Sequence, residues 1–134
     1  VPDNYFDCIF FNDILEHLVN PWAVLATVRK KLVEGGTVVA SIPNIRHYKT
    51  LYSLIFQGEW RYQDAGVLDQ THLRFFTKKS MLRLFNENGF EVRDIAGING
   101  TRKVKIRILG PLSFGLLSDI KFTQFSIVAV RKPS

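Results

Sequence analysis

The amino-acid sequence predicts a domain of the α/β class, in which helices pack on a sheet that contains parallel strands. Two apolar segments, residues 5–11 and 37–43, have the length and the aromatic or β-branched content of buried strands. Segments with helical periodicity separate these strands from two later strand-like segments. The chain has 134 residues, 46% of them apolar, which is sufficient for one core.

The first strand, residues 5–11 (YFDCIFF), is predicted to be buried because it is almost continuously apolar. A helix follows it, with Asn20 as N-cap and Pro21 at the first helical position. Gly35 and Gly36 are predicted to end this helix.

The second strand, residues 37–43, is predicted to end at a proline. Residues 47–58 follow as a predicted helix with Leu51, Leu54 and Ile55 facing inward.

Residues 59–76 show neither the helical repeat of apolar residues nor the alternation of a strand. An irregular segment of this length within a compact domain is often functional. A helix is predicted over residues 77–89, with Thr77 as N-cap and Gly89 beyond its end.

The last third contains a predicted strand at residues 90–97 and another at residues 124–132. The segment between them, 100–122, fits neither a helix nor a strand clearly. It is basic and apolar, and we interpret it as a covering segment between the two strands.

The net charge of +6 lies entirely in the C-terminal region. Residues 101–134 contain seven basic residues and one acidic residue, Asp119, while the charges of residues 1–100 cancel. A nucleic acid or an anionic surface would fit this excess. We prefer a solvated basic face and expect no nucleic-acid partner.

Cys8 is the single cysteine and is predicted to be buried in the first strand. One cysteine cannot form an internal disulfide, and nothing else indicates an oxidising compartment, so a cytoplasmic location is expected. The sequence contains no apolar run long enough to span a membrane and no recognisable leader peptide.

Asp13, Glu16 and His17 follow the first strand at i, i+3, i+4 spacing, which places them on one face of a helical turn. Such a face can hold a divalent cation, or it can orient His17 as a general base. Alternatively, the three residues only begin a turn, with Asp13 capping backbone N–H groups.

A second polar group follows the second strand. Ligands in parallel sheets bind beyond the carboxyl ends of the strands, so neighbouring strands would bring both groups to one edge. The irregular segment could fold over that edge as a lid. The residues concerned are Asn44, Arg46 and His47 after the strand, and Asp69, Thr71, His72 and Arg74 in the segment.

The sequence lacks the signatures of several other site classes. It contains no Cys/His zinc spacing, no P-loop and no G-x-G-x-x-G. It also contains no G-x-S-x-G nucleophile elbow.

The motifs F-D-x-I, L-E-H-L-x-x-P, L-x-x-G-G and S-x-P-N occur in that order over residues 6–44. Together they resemble the second half of a class I S-adenosylmethionine-dependent methyltransferase. The later L-D-x-T-H-L-R-F-F-T resembles one subgroup of that family closely.

The resemblance implies a partial Rossmann-like methyltransferase sheet, made of the fourth to seventh strands of the family, with the last strand antiparallel. Residues 1–134 would be the C-terminal portion of the domain, without the glycine-rich segment that binds the cofactor. This portion alone is expected to bind S-adenosylmethionine weakly or not at all. Its exposed sheet edge could support a homodimer.

The resemblance also implies roles for individual residues. Phe11, Asn12 and Asp13 would lie near the methionine end of the cofactor. Glu16 and His17 would face the acceptor, with Asp13 beside them in the catalytic group. Asn44, His72 and Arg74 would contact the acceptor.

Some relatives bind a divalent metal through E-x-x-E-H. Here Asp13 replaces the first glutamate, and we therefore expect no metal.

The expected function is methyl transfer by the intact protein, to an oxygen of a small-molecule or glycan acceptor, with this chain inactive alone. The alternatives are a non-catalytic fragment that binds a partner through its sheet edge, and a module that binds a surface through its basic stretch.

Overall fold

The structure, a computed structural model, describes residues 1–133. Single helical turns lie at Leu15–His17, which is 3₁₀-helical, and at Ser53–Gln57, which is π-helical. The strands and α-helices, in chain order, are β1 (Phe6–Asn12), α1 (Pro21–Lys31), β2 (Leu32–Pro43), α2 (Tyr48–Tyr52), α3 (Lys78–Glu87), β3 (Phe90–Gly100), α4 (Val104–Leu112) and β4 (Phe122–Arg131).

The four strands form one sheet in the order β1-β2-β4-β3. β1 and β2 are parallel, and β4 lies antiparallel between β2 and β3. The predicted α/β class and the antiparallel last strand are therefore confirmed. The carboxyl ends of β1, β2 and β3 and the first residues of β4 share one edge of the sheet, which we call the strand-end rim.

The core lies between one face of the sheet and the helices α1 and α3. Leu25 of α1 and Leu84 and Phe85 of α3 are fully buried there against β2 and β4. Each such side chain contributes roughly 1.5–3 kcal/mol by leaving water. Along β2 and β4, buried and half-buried residues alternate, so the opposite face of the sheet is less covered.

Two predicted helix starts are confirmed. The Asn20 side chain accepts a hydrogen bond from the backbone N–H of Ala23, and Pro21 is the first helical residue. Thr77 caps α3 through a reciprocal pair of hydrogen bonds with Ser80.

The predicted end of α1 at Gly35 and Gly36 is wrong, because the helix ends at Lys31. Leu32 is fully buried and pairs with Phe6 of β1, so the chain leaves the helix where that side chain enters the core. The Leu32 carbonyl also accepts a hydrogen bond from the Arg131 guanidinium.

The prediction that the first strand is buried holds only for Phe11. Phe10 is 62% exposed and Cys8 is also exposed, contrary to the buried cysteine that was expected. Within residues 1–133, β1 pairs with β2 alone and forms the edge of the sheet. The apolar composition of residues 5–11 predicts a strand that is covered on all sides. Among the described residues, however, β1 has a strand neighbour on one side only.

The predicted helix over 47–58 forms as α2 followed by the π-helical turn, and Gly58 ends it in the left-handed region at φ 63°. Leu54 and Ile55 were expected to face inward but are 47% and 66% exposed. The reason is that no element of the described chain closes over this side of α2.

The ambiguous segment 100–122 resolves into the end of β3, the helix α4 and a series of turns that returns to β4. None of the helices in the described part of the chain combines the length and apolar character needed to cross a bilayer.

Asn44 links the end of β2 to the connection between α4 and β4. Its side-chain amide donates to the carbonyls of Asp119 and Phe122, both at 3.0 Å, and its oxygen accepts from the backbone N–H of Arg46. The residue is fully buried. Its amide therefore fixes the strand-end rim to the segment that follows α4.

We expect Asn44→Ala to lower the free energy of unfolding by about 2–3 kcal/mol, because it leaves buried carbonyls without donors. Urea denaturation measures the change. Asn86→Ala, the same substitution at an exposed position of α3, should change it by less than about 0.5 kcal/mol. Equal midpoints for the two variants would contradict this role.

Candidate functional site

A cavity of about 440 Å³ lies at the strand-end rim, where sequence analysis placed the polar groups. The irregular segment 59–76 forms one wall, and the 3₁₀ turn with the rim ends of all four strands forms the rest. Its polar lining residues are Asp13, Glu16, His17, Asp69, His72, Asn99, Thr123 and Gln124.

Asp13 turns the chain at the end of β1, with φ 51° in the left-handed region that aspartate tolerates better than most residues. Its carboxylate accepts hydrogen bonds from the Ser41 hydroxyl, at 3.2 Å, and from the Gln124 amide. Asp13 therefore joins β1, β2 and β4 at the rim.

The 3₁₀ turn at Leu15–His17 holds the irregular segment in place. The Glu16 carbonyl accepts hydrogen bonds from the backbone N–H groups of Leu73 and Arg74, at 2.8 and 2.9 Å. These two bonds bring His72 against the side chains of Glu16 and His17.

The two histidine rings, His17 and His72, contact each other edge to face, with centroids 4.7 Å apart. Nδ1 of His17 lies 3.2 Å from the carbonyl oxygen of Thr71, and Nδ1 of His72 lies 3.1 Å from that of Val67. Because a carbonyl only accepts, each neutral ring carries its proton on Nδ1 and its lone pair on Nε2.

Glu16 is the buried charge of the site, with 1% of its surface exposed. Neither carboxyl oxygen has a hydrogen-bond partner within the described residues, and Oε1 lies 4.0 Å from Nε2 of His72. Burial raises the pKa of Glu16 to about 7, and the negative charge of Asp13 acts in the same direction.

Glu16, His17 and His72 form a compact group whose ligand-type atoms lie within 4.8 Å of one another. Two imidazoles with free Nε2 atoms and one unpartnered carboxyl can accept or pass on a proton. The same donors suit a divalent cation, and histidine ligands usually donate their other ring N–H to a carbonyl, as both do here.

The structure brings only part of the predicted site to the cavity. Asp13, Glu16, His17 and His72 line it. Asn12 is exposed at the end of β1, while Phe11 is buried in the core.

Two of the residues expected to contact an acceptor have partners within the protein. Asn44 makes the internal hydrogen bonds described above. The Arg74 guanidinium donates to the Val19 carbonyl, so this side chain holds the loop before α1.

Gln124, Thr123 and Asn99 line the cavity but were not identified from the sequence. They belong to β4 and β3, and β4 enters the rim with its first residues because it is antiparallel. The predicted antiparallel direction of the last strand could have identified Thr123 and Gln124, because it brings the start of that strand to the rim.

The sequence profile of a family described as a methyltransferase domain matches residues 1–95. A curated relative, the ubiquinone biosynthesis O-methyltransferase of Aeromonas salmonicida (strain A449), is 29% identical over 98 residues. The match covers 73% of this chain and 40% of the relative.

Solved structures show the same fold. A SAM-dependent methyltransferase from Archaeoglobus fulgidus superposes with a TM-score of 0.62 at 18% identity, covering 98% of this chain and 62% of that one. The [4+2]-cyclase SpnF gives a TM-score of 0.62 at 16% identity, covering 100% of this chain and 52% of that one. The chain thus spans less than two thirds of these relatives.

The raised pKa of Glu16 predicts a pH-dependent stability. The folded carboxyl titrates near 7 and the unfolded one near 4.5, so the unfolded state releases its proton first as the pH rises. Between these values, stability falls with increasing pH, by up to about 3 kcal/mol. Glu16→Gln cannot ionise and should not show this loss.

Urea denaturation of parent and Glu16→Gln proteins at pH 5 and pH 8 measures the effect. Burial lowers the pKa of His47 from 6.5 to about 4, so His47 makes stability rise with pH between these two values. Both proteins retain His47, and its contribution cancels in their difference. A difference that stays constant with pH would contradict the prediction.

Proposed function

This chain belongs to a family of methyltransferase domains, and on that premise we propose that it forms the acceptor side of an S-adenosylmethionine-dependent methyltransferase. The observation that carries the proposal is the group of Glu16, His17 and His72 at the rim. Glu16 and His72 are buried, and the half-buried His17 has its Nε2 free to accept a proton. One fold can support many different reactions, so the reaction has to be inferred from the residues of the site.

The chain offers part of a cofactor site. Asn12 and Asp13 are exposed at the carboxyl end of β1, where open α/β sheets bind ligands, and these groups fit the methionine end of the cofactor. Phe11 supports them from the core. S-adenosylmethionine, when bound, supplies a methyl group activated by a positively charged sulfur.

The protein's own contribution is to position the acceptor and remove its proton. An acceptor hydroxyl in the cavity gives its proton to Nε2 of His17 as its oxygen is methylated. The Thr71 carbonyl fixes the tautomer by holding the proton on Nδ1. An ionised Glu16 stabilises the imidazolium that results.

This chemistry supports an oxygen acceptor. A hydroxyl keeps its proton near neutral pH and benefits from a base, as His17 is placed to provide. The curated relative is named an O-methyltransferase, which agrees with oxygen as the acceptor atom. We propose a hydroxyl group of a small molecule or a glycan as the acceptor.

We propose that residues 1–134 are the C-terminal portion of the methyltransferase domain. The match covers 40% of the curated relative, and among residues 1–133 β1 has a strand neighbour on one side only. A strand from elsewhere in the intact protein would pair with the open edge of β1. Pairing with a second copy is the alternative arrangement, and the cytoplasmic location stays a prediction.

A metal-assisted reaction is the second candidate. The unpartnered oxygens of Glu16 and the free Nε2 atoms of both histidines form a set that a divalent ion can bind. Asp13, which stands where the metal-binding relatives have their first glutamate, is hydrogen-bonded to Ser41 and Gln124. A bound ion would polarise the acceptor oxygen and lower its pKa.

We expect His17→Ala in the intact protein to lower turnover by about a hundredfold or more, with less than about a twofold change in cofactor affinity. Transfer of a labelled methyl group to a panel of phenols and glycans measures turnover, and calorimetry with S-adenosylhomocysteine measures affinity.

His47→Asn serves as the control, because His47 is a buried histidine that does not line the cavity. Equal turnover in His17→Ala and the parent would remove His17 from the reaction.

The metal-free mechanism predicts that EDTA leaves turnover unchanged and that Mn²⁺ titrated into the intact protein gives no heat. Both results are expected because proton removal by His17 requires no metal ion. Binding of one Mn²⁺, lost in His72→Asn and in Glu16→Gln, together with activity lost in EDTA, would establish the metal-assisted reaction in its place.

A further inference from the structure

The outer face of α4 is apolar and exposed. Val104, Ile108 and Leu112 lie at i, i+4 and i+8 and are 68%, 48% and 71% exposed. The turn that follows adds Phe114 and Leu116, which are 102% and 70% exposed. An exposed patch of this kind on a soluble domain usually marks a site of interaction.

The inner face of α4 does not close against the rest of the described chain. A groove of about 960 Å³ separates it from α2 and the π-helical turn. Leu51 and Ile55 line one wall of the groove, and Ile106 and Leu109 line the other. The groove is therefore large and mostly apolar.

Basic side chains surround this apolar surface. Lys49, Lys103 and Lys105 contribute to the walls of the groove, and the Lys103 ammonium lies 5.6 Å from the centre of the Tyr48 ring. Lys49, Lys103 and Lys105 are all exposed. We call the exposed face of α4, the groove and these lysines the α4 surface.

Among the described residues, none of the three lysines of the α4 surface forms an ion pair with a carboxylate. Residues 101–134 contain seven basic residues, and their only acidic residue is Asp119. Asp119 already pairs with Arg46, at 3.4 Å, and is largely buried. The four basic residues at the start of this region, Arg102, Lys103, Lys105 and Arg107, are all exposed.

We propose that the α4 surface binds a membrane of anionic phospholipids. Lysine and arginine side chains contact the lipid phosphates, and the apolar stripe of α4 with Phe114 enters the boundary of the acyl chains. The groove between α2 and α4 accepts a lipid chain. This inference does not depend on methyl transfer.

Charge and hydrophobicity together select this partner. A nucleic acid would neutralise the lysines but would leave Leu112, Phe114 and Leu116 in water, because it offers them no apolar phase. A second copy on this surface would bring two basic patches together, and the repulsion between them is unfavourable. An anionic lipid surface satisfies both parts, because its phosphates pair with the lysines and its acyl chains receive the apolar side chains.

Flotation of the full-length protein with vesicles tests the proposal. Vesicles of phosphatidylcholine mixed with phosphatidylglycerol should bind it, phosphatidylcholine alone should bind it weakly, and added salt should reduce binding. The double variant Lys103→Gln with Lys105→Gln should reduce binding by about 25-fold, because each lysine contributes about fivefold. Phe114→Asn should reduce it by about tenfold.

Both sets of variants are chosen to preserve the fold. Phe114 has φ 51°, a conformation that asparagine accepts readily, and the lysines are exposed. The control is Lys79→Gln with Arg83→Gln, which removes the same charge from exposed positions of α3 and should leave vesicle binding within about twofold.

Three results would overturn the proposal. The first is that vesicles containing phosphatidylglycerol do not bind, or bind the α4-surface variants as well as the parent. The second is that a labelled oligonucleotide binds through the same lysines while vesicles do not. The third is a dimer in sedimentation velocity that the α4-surface variants dissociate, without vesicle binding.

Discussion

Two backbone hydrogen bonds organise the site: those that Leu73 and Arg74 donate to the carbonyl of Glu16. They hold the irregular segment against the turn after β1, so that His72 meets Glu16 and the Thr71 carbonyl meets His17. The consequence is a carboxyl buried without a hydrogen-bond partner among the described residues. Burial of this kind costs stability and is concentrated at functional sites, where it adjusts a pKa toward the working pH.

The sequence predicted the features that depend on local chemistry. Asn20 and Thr77 were identified as caps because capping involves only the next few residues, and the strands followed from their apolar patterns. The convergence of Glu16, His17 and the 59–76 segment could also be expected, since parallel neighbours share a carboxyl edge.

Long-range partners could not be predicted. The amide of Asn44 and the guanidinium of Arg74 bind backbone carbonyls distant in sequence. From the sequence alone, both side chains were expected to contact an acceptor. Gln124 reaches Asp13 across 111 positions, through a sheet order that no local pattern specifies. The exposure of β1 follows from its position at the edge of the sheet in the described part of the chain, and not from its own composition.

The proposed reaction and the proposed lipid contact occupy the same edge of the sheet. Asn44 is the physical link between them, because it connects the end of β2 to the segment that follows α4. The central claim remains that this chain contributes one side of a cofactor site. Calorimetric titration of S-adenosylhomocysteine into the intact protein tests it most directly. We predict one site with micromolar affinity, and the absence of binding would show that the methyltransferase fold serves another purpose in this protein.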